Sequence, residues 1–167
     1  VRAAKLLENE KDIIFELIGN GQEKKNILKL AKDIDIKNID FKDSVSVNNL
    51  ADNISDADIC LGIFGNTEKT KRVIPNKVYE CVAMKKPVIT ADTLAERELF
   101  EDGELFFTKT AESKSIADAI IKLKKDRKLL NDIAEKGYNK FIKKVTPDKI
   151  GFELLNIIRK TTNNSFL

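Results

Sequence analysis

The sequence predicts an α/β domain built on a doubly wound, Rossmann-like parallel sheet with helices on both faces. Short apolar, β-rich segments alternate with amphipathic helical segments along the chain, and such alternation forms right-handed crossovers in a parallel sheet. Residues 59–64 are apolar throughout, as is typical of a strand buried on both faces. The 167 residues suffice for one domain with a sizeable core. Because no linker rich in Gly, Pro or Ser divides them, residues 1–167 are assigned to a single domain.

Each element follows from the local residue pattern. Apolar runs bounded by turn-forming residues predict strands over residues 13–18, 39–41, 59–64, 87–90 and 105–108. Apolar residues at helical spacing predict helices over residues 1–9, 22–33, 47–54, 75–84, 94–100, 115–125, 128–143 and 147–160. Three helix starts are marked: Ser46 suits an N-cap, Pro75 suits the first helical position, and Thr93 with Glu96 makes a capping box.

The chain opens in a helix, with no strand ahead of it. A doubly wound sheet builds outward from a central first strand. We therefore expect residues ahead of Val1, in a longer parent chain, to carry that strand.

Charge and hydropathy argue against a nucleic-acid partner and against a membrane-spanning segment. The 30 basic and 27 acidic side chains are interleaved, with a net charge of +3, so no nucleic-acid-binding stripe is indicated. The densest basic stretch, residues 122–128, is interpreted as a solvated helix end, and the alternative is a contact with anionic lipid headgroups. No apolar run approaches the roughly 18 residues of a membrane helix, and residues 1–12 lack the apolar core of a signal peptide. We expect a cytoplasmic protein, with the inner face of the membrane as the alternative location.

Histidine is absent, which removes Ser-His, Cys-His and His-metal constellations from this chain. The two cysteines, Cys60 and Cys81, lie in apolar segments, where small buried thiols are common. We therefore expect neither a metal nor a cofactor, and no residue is assigned a catalytic role.

Glycines mark a first candidate binding loop. Ligands of open parallel sheets bind outside the carboxyl ends of the strands, and here the loops at residues 19–21, 64–73 and 90–94 lie at such ends. Gly19 and Gly21, between a strand and a helix, resemble half of a phosphate-binding fingerprint. The alternative is a turn that needs glycine only for a positive φ.

The helix predicted over residues 75–84 offers a second candidate. Lys77 and Glu80 are three residues apart and share a face that is distinct from the apolar face. The face lies near the helix N-terminus, where free N–H groups and the helix dipole favour an anion. Lys77 is a candidate for neutralising a diphosphate and Glu80 for accepting hydrogen bonds from ribose hydroxyls. The alternative is an ordinary surface ion pair between the two.

The segment CLGIFGNTEKTKRVIPNKVYECVAMKKPVITADTLAERELFEDGE resembles the signature region of family 4, or group 1, glycosyltransferases. In that family a helix ends in a Glu-Ala-Met-Ala-type sequence, and a Gly-x-Pro-Val-Ile strand and a Glu-Leu-x-x-Asp-Gly turn follow. The counterparts here are YECVAM at residues 79–84, KKPVI at 85–89 and ELFEDG at 98–103. Upstream and downstream segments also resemble the family, so the resemblance covers nearly the whole chain.

The resemblance implies the C-terminal, donor-binding half of a two-domain GT-B enzyme. Such enzymes transfer a sugar from a UDP- or GDP-linked donor with retention of configuration and without a metal, and their N-terminal domain binds the acceptor. We expect a polysaccharide or glycolipid acceptor, and no sugar transfer by this chain alone. Residues 147–160 carry more apolar side chains than one helix face requires, and the family's last helix crosses back to the N-terminal domain. We therefore expect a surface that lacks its natural partner and a tendency to self-associate.

The resemblance assigns roles to several residues and leaves one role open. Glu80 matches the second glutamate of the family's Glu-x7-Glu motif, which holds the nucleotide ribose. The first glutamate, which contacts the donor hexose, falls on Arg72. Pro75, Asn76 and Lys77 replace the usual glycine-rich pair, as in a Pro-x-Lys-x-x-Glu subset. Asn76 and the neighbouring amides become candidates for binding phosphate or hexose.

Two alternatives remain. A sugar-nucleotide 2-epimerase shares the two-domain architecture, although such enzymes usually rely on histidine. A non-catalytic, receiver-like regulatory module would need an aspartate at a strand end, whereas the strand at residues 59–64 ends in Gly-Ile-Phe and is followed by another glycine.

Overall fold

The structure, a computed structural model, describes residues 1–163. The strands within that range are β1 (Phe15–Ile18), β2 (Ile39–Lys42), β3 (Cys60–Leu61), β4 (Val88–Ala91) and β5 (Phe106–Thr108). The helices are α1 (Arg2–Leu6), α2 (Lys24–Asp33), α3 (Val47–Asp56), α4 (Glu68–Lys71), α5 (Asn76–Ala83), α6 (Leu94–Leu99), α7 (Ser113–Lys125), α8 (Arg127–Lys144) and α9 (Pro147–Asn163).

Every strand pair is parallel, which confirms the predicted α/β class. β1 pairs with β2, with Phe15 opposite Ile39. β4 lies between β3 and β5, with Ile89 opposite Leu61 on one side and Phe106 on the other. In the described chain β1-β2 and β3-β4-β5 are separate sheets, so β1 and β3 each have one unpaired edge.

A common hydrophobic core nevertheless joins the two sheets. Phe15 of β1 and Ile89 of β4 belong to one buried cluster, together with Ala4 of α1 and Leu123 of α7. A second cluster lies beneath α5 and contains Cys60, Val78, Cys81, Val82, Val88, Phe100 and Leu105. Both cysteines are buried and free, as predicted.

The strand predicted over residues 59–64 is regular only at Cys60–Leu61. Its backbone bonds to β4 continue past that point, because the Gly62 N–H donates to the Ile89 carbonyl at 2.8 Å and the Ala91 N–H donates to the Ile63 carbonyl at 2.9 Å. The segment therefore stays against β4 beyond the end of the regular strand.

Helix starts differ from the predictions in detail. Pro75 is the N-cap of α5 rather than its first residue, and the side chain of Ser46 makes no cap hydrogen bond. Thr93 does cap α6, since its hydroxyl accepts the Glu96 N–H at 3.2 Å. Only half of the predicted capping box forms, because the Glu96 side chain is buried and bonds elsewhere. The short helix α4, which Thr67 caps, was not predicted.

The last helix, α9, packs on α8 and leaves most of its apolar side chains in solvent. The exposed large apolar residues are Ile150, Phe152, Leu154, Leu155, Ile157 and Ile158. In the described range no helix combines the length and apolarity that crossing a membrane requires.

Candidate functional site

The N-terminus of α5 lies beyond the carboxyl end of β3, where a parallel sheet binds ligands. Val78, Cys81 and Val82 form its buried face, while Asn76, Lys77 and Glu80 are exposed. Three of the predicted binding residues therefore stand together on the solvent side of one helix. This arrangement confirms that the Lys77 and Glu80 face is distinct from the core face.

Backbone donors at the start of α5 are free. Pro75 has no N–H and its side chain provides no cap. The N–H groups of Asn76 and Lys77 have no hydrogen-bond partner among residues 1–163. Unpaired N–H groups at a helix N-terminus carry the positive end of the helix dipole and favour an anion.

Lys77 adds a full positive charge to this helix end. Its side chain is exposed, yet the surrounding protein desolvates the ammonium enough to lower its pKa. In the described part of the chain, Lys77 makes neither an ion pair nor a hydrogen bond. An unpaired, partly desolvated cation beside free N–H groups is the arrangement expected of an anion site.

Glu80 is also unpaired. Over the described residues its carboxylate has no hydrogen-bonded or ionic partner. The alternative interpretation of this face, an ion pair between Lys77 and Glu80, is therefore not what the structure contains. Both groups remain available to a ligand.

Arg72, at the position of the family's first motif glutamate, lies at the C-terminal end of α4. Its guanidinium is 3.5 Å from the Glu68 carboxylate, and 76% of its side chain is exposed. The ion pair lies on the solvent-exposed α4, and the structure gives Arg72 no contact with Lys77 or Glu80.

Gly19 and Gly21 lie at the carboxyl end of β1, in the other sheet. Gly19 has a φ of 139°, and nothing stands within 4 Å of the place where a side chain would be. Its conformation therefore requires glycine for the backbone alone. The loop is held by Lys24, whose ammonium donates to Asn20 at 2.6 Å and to Asp43 at 2.7 Å. Among the described residues no hydrogen bond joins this loop to α5.

Sequence reasoning missed one titratable group near the site. Glu96 is completely buried, and burial raises the pKa of its carboxyl to about 7. Its Oε1 lies 3.1 Å from the Thr90 hydroxyl, and its Oε2 has no partner in the described chain. The sequence pattern assigns Glu96 to the capping box of α6. The signal that could have identified it as a buried carboxyl is its position on the buried face of this six-residue helix.

The basic stretch at residues 122–128 is partly neutralised. Lys124 pairs with Glu10 at 2.7 Å and Asp12 at 2.6 Å, and Arg127 lies 3.7 Å from Asp58. The stretch is thus less cationic than its sequence indicates. In the described residues no cluster of three or more carboxylate or cysteine side chains is placed to hold a metal ion.

Comparison with known proteins adds a family match. The family model described as "Glycosyl transferases group 1" matches residues 1–140. No curated protein sequence matches the chain significantly.

Solved structures of similar fold come from several bacteria. Anabaena HepE in complex with UDP-glucose superposes with a TM-score of 0.78 at 16% identity, over 95% of this chain and 44% of that one. A Staphylococcus aureus TarM mutant in complex with fondaparinux, α-GlcNAc-glycerol and UDP gives a TM-score of 0.76 at 19% identity. The match covers 92% of this chain and 31% of the TarM chain. The C-terminal domain of LpcC from Francisella tularensis, a group 1 family glycosyl transferase, gives a TM-score of 0.63 at 22% identity. The match covers 86% of this chain and 76% of that domain's chain. The chain therefore spans less than half the length of the HepE and TarM chains.

Proposed function

The chain belongs to the group 1 glycosyl transferases, and from this we propose that it is the donor-binding domain of a retaining glycosyltransferase. The donor is a nucleoside-diphosphate sugar, and the acceptor, a polysaccharide or glycolipid, binds to another domain of the parent. The observation that carries the proposal is the unpaired, desolvated Lys77 beside the free N–H groups of α5. Diphosphate is the part of the donor that such a site suits.

Within this proposal different residues of α5 bind different parts of the donor. Lys77 and the N–H groups of Asn76 and Lys77 bind the diphosphate, because they combine a cation with oriented donors. Glu80 lies about one helical turn further on and accepts hydrogen bonds from the ribose hydroxyls. The two glycines at the end of β1, Gly19 and Gly21, provide the second loop of the proposed donor site.

This domain contributes to the reaction by electrostatic stabilisation of the leaving diphosphate. When the glycosidic bond to the diphosphate breaks, negative charge develops on the leaving oxygen. Fixed positive groups aimed at that oxygen stabilise the transition state more than the ground state. Lys77 has no ion pair within residues 1–163, so none has to be broken before it contacts the diphosphate. UDP is the favoured nucleotide, since HepE and TarM were solved with UDP-glucose and UDP respectively, and GDP is the alternative.

Two surfaces without a partner in residues 1–163, the open edges of β1 and β3 and the apolar side of α9, are proposed to contact other parts of the parent chain. The open edges of β1 and β3 accept a further parallel strand, which α1 would connect to β1 by a right-handed crossover. The exposed apolar side of α9 packs on the acceptor-binding domain. In the isolated chain the same side of α9 supports self-association. A cytoplasmic location for the parent belongs to the same proposal.

A thermal-shift panel tests donor binding. UDP, GDP, ADP and their common sugar conjugates are added at millimolar concentration. A ligand at 100 times its Kd raises the free energy of unfolding by about 2.7 kcal/mol, which a melting curve resolves. If none of these compounds shifts the melting curve, this chain does not bind the donor and the proposal fails. Multiple-turnover sugar transfer by the isolated chain would contradict the assignment of the acceptor site to another domain.

A further inference from the structure

The buried carboxyl of Glu96 lies at the carboxyl ends of β3 and β4, close to the helix that carries Lys77. We propose that Glu96 is a positioning residue of the donor site. As a neutral acid it completes a hydrogen-bond chain through Thr90 to Ile63, and this chain holds the segment that leads to α5. Ionisation of Glu96 removes one bond from this chain, the one that Thr90 donates to the Ile63 carbonyl. The inference rests on the proposed donor site of α5.

The donors and acceptors around Thr90 support the neutral form. The Ile63 N–H donates to the Thr90 hydroxyl oxygen at 3.2 Å. The single hydroxyl hydrogen of Thr90 has two acceptors in reach, the Ile63 carbonyl at 3.3 Å and Glu96 Oε1 at 3.1 Å. A hydroxyl has one hydrogen to donate and two lone pairs that accept.

Protonation of Glu96 satisfies every donor in this group. Oε1–H donates to the second lone pair of Thr90, and the Thr90 hydrogen is then free to donate to the Ile63 carbonyl. If Glu96 ionises, the Thr90 hydrogen goes to the charged acceptor, because charge-assisted bonds are stronger. The Ile63 carbonyl then keeps only the bond from the Ala91 N–H at 2.9 Å, and Oε2 becomes a charged oxygen without a partner in the described chain.

Within residues 1–163 no cation compensates a charge on Glu96. Burial and the bond with Thr90 are the influences on its carboxyl, and neither Lys nor Arg is among them. From α5 the titratable side chain that faces it is Tyr79, whose own pKa is raised by burial and by the charge of Glu96. β4 contributes Thr90, the segment after β3 contributes the Ile63 backbone, and Thr93 of the α6 cap bonds the Glu96 N–H.

Tight packing connects Ile63 to α5. A side-chain carbon on Gly62 would stand 2.5 Å from the Thr90 oxygen and 3.2 Å from Val78 of α5. The chain after Ile63 is fixed at Gly65, whose carbonyl accepts from the Thr70 hydroxyl at 2.9 Å. A shift of Ile63 away from Thr90 therefore moves the support beneath the α5 N-terminus.

Binding of UDP-glucose as a function of pH tests the inference. Titration calorimetry from pH 5.5 to 8.5 compares the wild type with Glu96→Gln and Glu96→Met. UDP-glucose is the probe because its diphosphate loses no proton in this range. We expect wild-type affinity to fall about tenfold as the pH rises through 7, the effect of losing one net hydrogen bond.

The two variants separate positioning from general structure. Glu96→Gln donates to Thr90 at every pH, so it should bind as the wild type does at low pH, without the fall. Glu96→Met fills a similar volume without a donor and should bind weakly throughout. A pH profile of Glu96→Gln that matches the wild type overturns the inference, and so does binding by Glu96→Met as tight as that of Glu96→Gln.

A second measurement keeps the inference separate from the proposed function. The NMR signal of the Ile63 amide, followed over the same pH range without ligand, should titrate near pH 7 in the wild type and stay constant in Glu96→Gln. A constant Ile63 signal in both proteins overturns the hydrogen-bond chain. If no protein binds UDP-glucose while Ile63 titrates as expected, the donor site fails and the chain from Glu96 to Ile63 stands.

Discussion

Thr90 fills the space that a side chain at Gly62 would need. A Cβ on Gly62 would lie 2.6 Å from the Thr90 Cβ and 2.5 Å from its hydroxyl oxygen, closer than non-bonded atoms approach. Both residues are buried, so neither has room to move aside. We expect Gly62→Ala to lower the free energy of unfolding by about 1–3 kcal/mol, the usual cost of overpacking a core.

Urea denaturation at constant pH measures this effect. Gly151→Ala is the matched control, because nothing lies within 4 Å of its Cβ position in α9. That change should be neutral or stabilising by up to about 1 kcal/mol, since alanine favours helix over glycine. Equal stability of Gly62→Ala and the wild type would show that β3 is not held against Thr90.

Removal of the Lys77 cation should weaken phosphate binding and leave the fold intact. We expect Lys77→Ala to weaken UDP binding by about 1.5–3 kcal/mol, as for loss of a charged hydrogen bond, and to change uridine binding little. Calorimetry with UDP and uridine makes the comparison. Lys128→Ala is the control, because Lys128 is an exposed lysine on α8. Parallel losses for UDP and uridine in Lys77→Ala would contradict a contact with phosphate.

The Glu80 carboxylate should recognise the ribose. Glu80→Ala is expected to weaken UDP binding by about 1.5–3 kcal/mol while the melting temperature stays near that of the wild type, because the side chain is exposed and unpaired. The 2′-deoxy nucleotide dUDP provides the sharper measurement. Wild type should prefer UDP to dUDP, and Glu80→Ala should lose that preference. A preference that survives the substitution would remove Glu80 from the ribose site.

Burial of Glu96 makes stability depend on pH. The carboxyl has a pKa of about 7 in the folded protein against an ordinary value of 4.5, so the folded state holds a proton that the unfolded chain releases. The free energy of unfolding should therefore fall as the pH rises from about 4.5 to about 7, by about 3 kcal/mol from this group. Below pH 4.5 the stabilisation is fully present.

Glu96→Gln removes this dependence, because the amide does not titrate. Urea denaturation of both proteins at pH 5 and pH 8 isolates the effect, since all other carboxyl groups contribute equally to the two proteins. The variant should gain stability relative to the wild type on going from pH 5 to pH 8. An unchanged difference between the two proteins would mean that Glu96 is not desolvated in solution.

Hydrophobic periodicity predicted the features that depend on burial. It did not predict which hydrogen-bond partner a polar side chain such as Glu96 takes. The apolar run at residues 59–64 identified the segment that pairs with β4, and the 3.6-residue pattern separated Val78 and Val82 from Lys77. Local spacing assigned Glu96 to a capping box with Thr93. Tertiary packing decided otherwise, since the hydroxyl that Glu96 meets belongs to Thr90 on another element. Free N–H groups at the start of this helix were predicted from the sequence, and the structure assigns them to Asn76 and Lys77.

The open edges of β1 and β3 have a consequence for how the domain is put together. The ladder to β2 uses the N–H groups of Phe15 and Gly19, and alternation along a parallel strand turns those of Glu16 and Ile18 to the other side. Within residues 1–163 no strand pairs with that side, so these N–H groups are open to an added strand. An extended synthetic peptide added in excess could therefore lengthen the sheet at this edge, beside the loop that carries Gly19 and Gly21.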